Sequence, residues 1–532
     1  MIHLLIHKLA LIVSGFTVVI LTHYLVHAVS TRRTFCYVPG PRPSSFLWGE
    51  EWELYHQAPG VPYIDWHSRF GKLVTITGAF GVRVSFAWGQ LSQFNLVILQ
   101  HQVLSVADSR AIAFILGEGA YSFPKPQGVR AWFKATLGEG ILWVEGRKEH
   151  ENQRRILAPA LNLQSVRQLT DTFFETSGRL STHWSKLMEG SSGNEREIEI
   201  TNWAGRFALD TIGRAAFSYD FDCLSGEPHE LAAALDGLTN NEHKRSSFYM
   251  RALFWLVPSI LFIGKKGEMI RRVKRELGVI ASKMWKDAKT IGDADNRTLM
   301  ANILRSDESS KTHMDEEEIV SQMRTVMSAG YETVSAVVAW MLYEIASHPD
   351  FQDELRDEIC AIPDHSFDHL NNELPLLDAA LKETLRLHPA ILENHHEASE
   401  TVIIPLSEGF AETGEPYLVI PKGTIVVIPV NVLQTDRNVW GEDAAVFRPK
   451  RWLDKKVANT LTGRELLAFS AGPRSCIGKT FAMIEIKALM VTLIPSFSFR
   501  CNVNIEPFQS FVIRPRVVGE TASSLPLLVK KL

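Results

Sequence analysis

Along most of this chain apolar residues recur every three or four positions. Glu145 to Leu157, Val166 to Met188, Trp203 to Phe217 and Met269 to Ala288 follow that spacing, which predicts amphipathic helices. A longer helix is predicted from about Asp315 to Ser347, because Asp315 to Glu318 suit its positive end and His348-Pro349 stops it. At 1.5 Å per residue it spans roughly 50 Å. Shorter helices are predicted at Asp350 to Cys360 and Leu376 to His388. Then the period changes: Thr401 to Ile404, Tyr417 to Ile420 and Thr424 to Ile428 read as short strands between glycines and prolines. Earlier, Leu73 to Thr77 and Val82 to Phe86 flank Gly78-Ala79-Phe80-Gly81 and predict a β-hairpin. Helix dominates, with a small β-rich part.

The start of the chain differs. Leu9 to Val29 is almost continuously apolar, broken mainly by His23 and His27, and is long enough to cross a bilayer once. A cleaved signal peptide would have a shorter apolar core followed by small residues, so an uncleaved anchor over residues 1–31 is expected. Lys8 precedes the segment and Arg32, Arg33 and Arg42 follow it, which places the body on the cytosolic side. Val38-Pro39-Gly40-Pro41-Arg42-Pro43 reads as a stiff, extended connector within residues 32–50, a reading that an ordinary loop also satisfies.

Composition narrows the function. The 532 residues are 45% hydrophobic and 22% charged with a formal net charge of -4, an ordinary globular mixture without general attraction to nucleic acid. Cys36, Cys223, Cys360, Cys476 and Cys501 are spaced neither as a zinc site nor as a disulfide framework. A reducing compartment is implied. The sequon Asn296-Arg297-Thr298 would accept a glycan only in the secretory lumen, and with a cytosolic body it is chance.

One of those cysteines has unusual neighbours. Phe469-Ser470-Ala471-Gly472-Pro473-Arg474-Ser475-Cys476-Ile477-Gly478 leads directly into the helical segment Lys479 to Leu493. Cys476 is thus expected at a helix N-terminus, where free amides and the dipole favour a thiolate. Gly472 permits a tight turn, Gly478 lets a flat ring approach the backbone, and Arg474 can reach an anionic group. At Phe469, Gly472, Arg474, Cys476 and Gly478 the segment resembles the cysteine-ligand loop of the cytochrome P-450 family.

Further segments resemble that family in the same order. Ala329-Gly330-Tyr331-Glu332-Thr333, in the long helix, is similar to the oxygen-activation segment. Ala329 and Thr333 share a face, with Gly330 adjoining, so small residues leave room for dioxygen while Thr333 donates a proton and Glu332 relays one. The competing reading is that Thr333 back-bonds to a helical carbonyl and Glu332 is a surface charge. Glu383 and Arg386 lie three apart, and Phe447-Arg448-Pro449-Lys450-Arg451-Trp452 resembles the motif whose arginine, here Arg451, completes a buried Glu-Arg-Arg cluster. In Glu145 to Arg155, His150 and Arg154 stand one turn apart, where the resemblance implies a grip on a haem propionate. Many family members carry tryptophan at the position of His150. For the second propionate the family uses an arginine; by spacing, His396 stands there in this chain, as a shorter, pH-dependent donor or as a plain loop histidine.

The resemblance implies the family's mostly α fold with a small β-rich lobe over residues 51–532, preceded by one transmembrane helix and enclosing haem b with Cys476 as metal ligand. It implies a monooxygenase that inserts one oxygen atom of O2 into a lipophilic small molecule, with electrons from an NADPH-dependent cytochrome P-450 reductase, at the endoplasmic reticulum membrane. Tyr121 to Leu137, Met250 to Ile263 and the stretch near Ala390 are apolar and aromatic, which suits a lipophilic substrate; resemblance to fungal members suggests a terpenoid or other secondary metabolite. Two other functions remain open: a haem-thiolate isomerase or dehydratase, and a non-catalytic haem carrier or sensor.

Overall fold

The computed structural model describes residues 37–45, 47–79, 82–87, 93–98, 102–189, 191–227, 229–239, 248, 252–253, 258–291, 298–308, 314–362, 365–410, 414–454 and 466–532. The expected anchor, residues 9–29, and residues 296–297 of the sequon lie outside them. Among the described residues no helix is long and apolar enough to cross a membrane. The chain divides into two compact units, one drawn from Met1–Pro126, Phe248–Leu253 and Glu393–Pro429, the other from Gln127–Ser247, Phe254–Leu392 and Val430–Leu532.

The first unit is organised by a four-stranded sheet. Leu73–Thr77 pairs antiparallel with Gln102–Val106, which runs parallel to Ile425–Pro429, and Glu393–Glu397 closes the sheet antiparallel to the latter. Every residue of Ile425–Pro429 is buried, as a central strand covered on both faces requires. The expected hairpin between Leu73 to Thr77 and Val82 to Phe86 does not form. Thr77 faces Gln102 in the register, and Val82–Ala87 pairs instead with Gln93–Ile98 in a ribbon of its own. The partner is chosen by burial rather than by the local glycine signal: Val74 and Ile76 are 0% and 3% exposed in the sheet.

The proline run belongs to this unit too. The Pro39 carbonyl accepts a hydrogen bond from the Thr75 amide at 2.9 Å, and a side chain at Gly40 would stand 2.0 Å from the Thr75 carbonyl oxygen. The segment is therefore fastened to the strand. Nearby, His67, in the helix Val61–Phe70, is 8% exposed, with Nδ1 2.8 Å from the Gly71 carbonyl and Nε2 2.7 Å from Ser105 Oγ. A carbonyl can only accept, so Nδ1 carries the proton and Nε2 accepts from the hydroxyl. Burial holds this imidazole neutral, lowering its pKa to about 4 against the opposing pull of the Gly71 hydrogen bond.

The second unit is mostly helical. Seven helices carry the argument: α1 (Arg147–Leu157), α2 (Leu163–Met188), α3 (Ile200–Phe217), α4 (Gly264–Ile291), α5 (Glu316–Ser347), α6 (Pro375–Leu387) and α7 (Lys479–Leu493). Each lies where the sequence predicts a helix, with shifts of a few residues at the ends. α5 starts at a capping box, Asp315 accepting from the Glu318 amide while the Glu318 carboxylate accepts from the Asp315 amide, and ends at His348 before Pro349. It packs against α3 and α4, and α7 packs against α2. A three-stranded sheet of Glu195–Glu199, Pro526–Lys531 and Phe497–Arg500 and a ribbon of Ile505–Gln509 with Ile513–Val517 complete this unit.

Candidate active site

The loop before α7 is held by its own backbone. Ser470 and Gly472 adopt positive φ (57° and 69°), and the turn they make returns the chain so that the Cys476 amide donates to the Phe469 carbonyl at 2.9 Å. The expectation for Gly472 is met. α7 begins at Lys479 with Gly478 as its cap residue, so Cys476 stands two residues before the cap. The side chain of Cys476 is exposed, unlike that of Cys223, which is fully buried. Close protein mass around the sulfur nevertheless desolvates it. That burial pushes the thiol pKa up, and the Gly478 amide, which donates to the sulfur, together with Arg154 and Lys479 pulls it back only in part. The thiolate preference expected from the helix dipole alone is thus outweighed. A bound metal ion reverses such a balance, because a coordinating thiol is deprotonated outright.

Two arginines brace the loop. Arg154 of α1 donates from Nη1 to the Ser475 carbonyl at 2.8 Å, next to the cysteine. Arg474 pairs with the Glu145 carboxylate, both side chains being largely buried at 13% and 11% exposure. His150, on the same helix as Arg154, is 4% exposed. Arg154 and Arg474 are thus engaged by the protein itself, on a peptide carbonyl and on a carboxylate. Glu145 opens the Glu145 to Arg155 segment, but the sequence named no partner for it.

α5 is buried along most of its length, and it opens within the segment singled out from the sequence. Ala329 is exposed and Gly330 and Thr333 are half-buried, whereas Tyr331 and Glu332 are buried at 1%. Ala329 and Thr333, one turn apart, therefore open the same face of the helix. The Thr333 hydroxyl donates to the Ala329 carbonyl at 2.8 Å, so the back-bonded conformation is the one observed. Glu332 is no surface charge. Gly330 serves packing as well: a Cβ there would come within 3.0 Å of Ile212 Cγ1 on α3.

The Glu383, Arg386 and Arg451 cluster forms as expected. All three side chains are fully buried; Arg386 grips Glu383 through Nε (2.9 Å) and Nη2 (2.8 Å), and Arg451 Nε reaches the same carboxylate at 2.8 Å. The surplus positive charge is met by carbonyls, Arg386 donating to Gln434 (2.8 Å) and Ala444 and Arg451 to Trp440 (2.8 Å) and Asp443 (2.9 Å). Two contributors went unnoticed in the sequence. Trp452 Nε1 donates to Glu383 at 2.9 Å, and the buried Gln434 donates to the Leu385 and Arg386 carbonyls while accepting from the Leu467 amide, tying α6 to the start of the cysteine loop.

A family model described as Cytochrome P450 matches residues 89–517. The chain belongs to the cytochrome P450 family. It is 30% identical over 520 residues to cytochrome P450 monooxygenase claO of Ampulloclitocybe clavipes, covering 92% of each chain. It is 31% identical over 527 residues to cytochrome P450 monooxygenase 128 of Postia placenta and 30% over 524 to monooxygenase 205 of the same fungus, each covering 93% of this chain and 92% of the relative. As a P450 of this fungal monooxygenase family it is an oxidoreductase, and its cofactor is haem, iron protoporphyrin IX.

The second unit's residues fit that group. Cys476 offers an exposed sulfur on a rigid loop, and a Cβ added at Gly478 would meet nothing nearer than the Cys476 sulfur itself, at 4.0 Å. A flat ring can approach the backbone there. His396 stands in the other unit, on the strand Glu393–Glu397, with Nδ1 3.1 Å from the Phe123 carbonyl.

Proposed function

We propose that this P450 inserts one oxygen atom of O2 into a lipophilic small molecule, with Cys476 as the sulfur ligand of its haem iron and electrons from an NADPH-dependent reductase. The observation that carries this reading is the exposed Cys476 sulfur on a loop pinned at Phe469 and Ser475. When bound, a haem with a thiolate ligand supplies the electron density that favours cleavage of the oxygen-oxygen bond.

The chain's own residues supply position and protons. Arg154 holds the Ser475 carbonyl and so fixes the sulfur's neighbour, and the Gly478 amide stabilises negative charge on the sulfur. Thr333 carries its hydroxyl on the open face of α5; turning from the Ala329 carbonyl would let it donate a proton outward. Glu332, adjacent and buried, is the proposed next proton holder. Phe469, Gly472, Gly478, Ala329 and Gly330 shape the haem surroundings, and His150, Arg154 and Arg474 are the proposed propionate donors.

The substrate is taken to be lipophilic, a terpenoid or similar secondary metabolite, which the apolar and aromatic residues of the second unit support, among them the Trp132–Phe511 stack (4.4 Å, 11°). Residues 9–29 are the proposed anchor in the endoplasmic reticulum membrane, with the body cytosolic. The exposed apolar side chains Phe262 and Ile263 suit contact with such a surface. The test is co-expression with a reductase and product profiling against terpenoids and fatty acids, with NADPH and oxygen consumption measured together. Oxygenated product in step with NADPH consumption is expected. Product formed without NADPH or O2 would mean an isomerase or dehydratase, and haem binding without any turnover a carrier.

A further inference from the structure

The open stretch of α5 lies between two buried attachments on the same stripe of the helix. At 3.6 residues per turn, Gln322 and Trp340 each fall within about 20° of Ala329 around the axis, and Thr333 within about 40°. Both are buried, at 0% and 2% exposure. Gln322 Oε1 accepts from the Ile141 amide at 3.0 Å, and Trp340 Nε1 donates to the Ile513 carbonyl at 3.0 Å. The first attachment is close-fitting: a Cβ at Gly138 would overlap Ser321 Oγ, and one at Gly140 would stand 2.5 Å from Thr325 Oγ1. The segment leading out of the helix Gln127–Thr136 and the ribbon of Ile505–Gln509 with Ile513–Val517 are thus fixed to α5 on either side of Ala329 and Thr333.

Those two elements meet each other as well. Trp132, on the helix, stacks on Phe511, in the turn of the ribbon, with ring centroids 4.4 Å apart and planes at 11°, and Phe133 meets Phe511 edge-on at 6.2 Å. The contacts therefore close into a ring, from α5 through Ile141 to Trp132, across the stack to Phe511, and back through Ile513 to Trp340. The exposed Ala329 falls on the arc of α5 inside it. The links of this ring are unequal. Its two attachments to α5 are buried hydrogen bonds, costly to break because each would leave a polar group unmatched. The stack is partly open to solvent, with Trp132 half-buried and Phe511 38% exposed. An aromatic pair of this kind biases an equilibrium by only about two- to tenfold, so the ring parts there first.

We propose that the Trp132–Phe511 stack is a closure over the open face of α5, and that its parting sets how bulky a lipophilic molecule reaches Thr333. This rests on the monooxygenase reading above and adds to it the two residues that select substrates by size. A small molecule passes beside the closed pair. A bulky one waits for the fraction of time in which the rings are apart, and its association slows by that fraction.

The test uses the full-length, haem-loaded protein, mixed rapidly with imidazole or with 1-triphenylmethylimidazole, two ligands of haem iron that differ in bulk, while absorbance reports binding. Trp132→Leu, Phe511→Leu and the double variant keep apolar side chains but lose the stack, and Phe511→Tyr keeps the ring. Association of the bulky probe should be about five- to tenfold faster in each leucine variant, no faster in the double, and unchanged in Phe511→Tyr. Imidazole should bind all of them within about twofold of the parent rate. Phe511 is exposed, so its leucine and tyrosine variants, at unchanged melting temperature, decide the matter by themselves. If imidazole leaves the parent's spectrum unchanged, the haem-thiolate reading falls and the closure with it. If imidazole binds normally while the bulky probe binds parent and leucine variants alike, or if both probes are accelerated equally, the closure alone is overturned.

Discussion

The Glu383 cluster and the Cys476 loop lie in the same unit, and both are built around groups that are costly to bury. Around Glu383 nearly every charge is answered: one carboxylate, two guanidinium groups and an indole are locked together out of water. At Cys476 the backbone is fastened but the sulfur is exposed, and its surroundings push its pKa up. The first arrangement has no chemistry left to offer. The second keeps one reactive atom available on a rigid support, which is what a ligand to a metal requires.

That contrast can be broken by substitution. Glu383→Ala should be the most damaging change, since it strands two buried guanidinium groups; about 3 to 5 kcal/mol of stability should be lost, seen as a collapse of the melting transition. Such a loss should appear with or without haem. If Glu383→Ala melts within a degree of the parent, the cluster is no fold determinant.

His67 offers a closed group in the other unit. Its pKa is about 4 when folded against 6.5 when unfolded, so the unfolded chain takes up the proton more readily. The stability contributed by the neutral form is complete above pH 6.5 and is lost as pH falls towards 4, at most about 3 kcal/mol for this shift. Melting temperatures from pH 7.5 to 4.5 should fall less steeply in His67→Gln than in the parent. Equal slopes would show that this imidazole is not held neutral.

Arg154→Ala should cost less, roughly 1 to 2 kcal/mol for one hydrogen bond from a charged donor. Its larger effect should be on haem retention during gel filtration, because the Ser475 carbonyl it holds adjoins the sulfur. Unchanged retention would separate the brace from the cofactor. Thr333→Ala should be nearly silent in stability, within about 0.5 kcal/mol, since the hydroxyl only back-bonds on a half-exposed face. Product formed per NADPH should nevertheless drop. Full coupling in that variant would remove Thr333 from the proton path.

Helix α5 was legible from its charges and its stop at Pro349, and α7 from the end of the cysteine loop, because both rest on local signals of period, cap and breaker. The order of motifs gave the Glu383 cluster and the family. What the sequence hid is non-local. The strand Leu73–Thr77 took Gln102–Val106 as partner rather than its glycine-linked neighbour, since pairing is decided by which faces a sheet buries. Glu145 on Arg474 and Gln434 beneath the loop each depend on residues far apart in the chain, and a lone Glu or Gln carries no spacing from which to read them.

The most direct measurement is the absorbance of reduced, carbon monoxide-treated protein for Cys476→Ala beside the parent, with circular dichroism on both. The parent should give the thiolate-type spectrum, and the variant should lose it while keeping its helical signal, because the Cys476 side chain is exposed. An alanine variant that binds haem with the same thiolate-type band would assign the ligand to another residue.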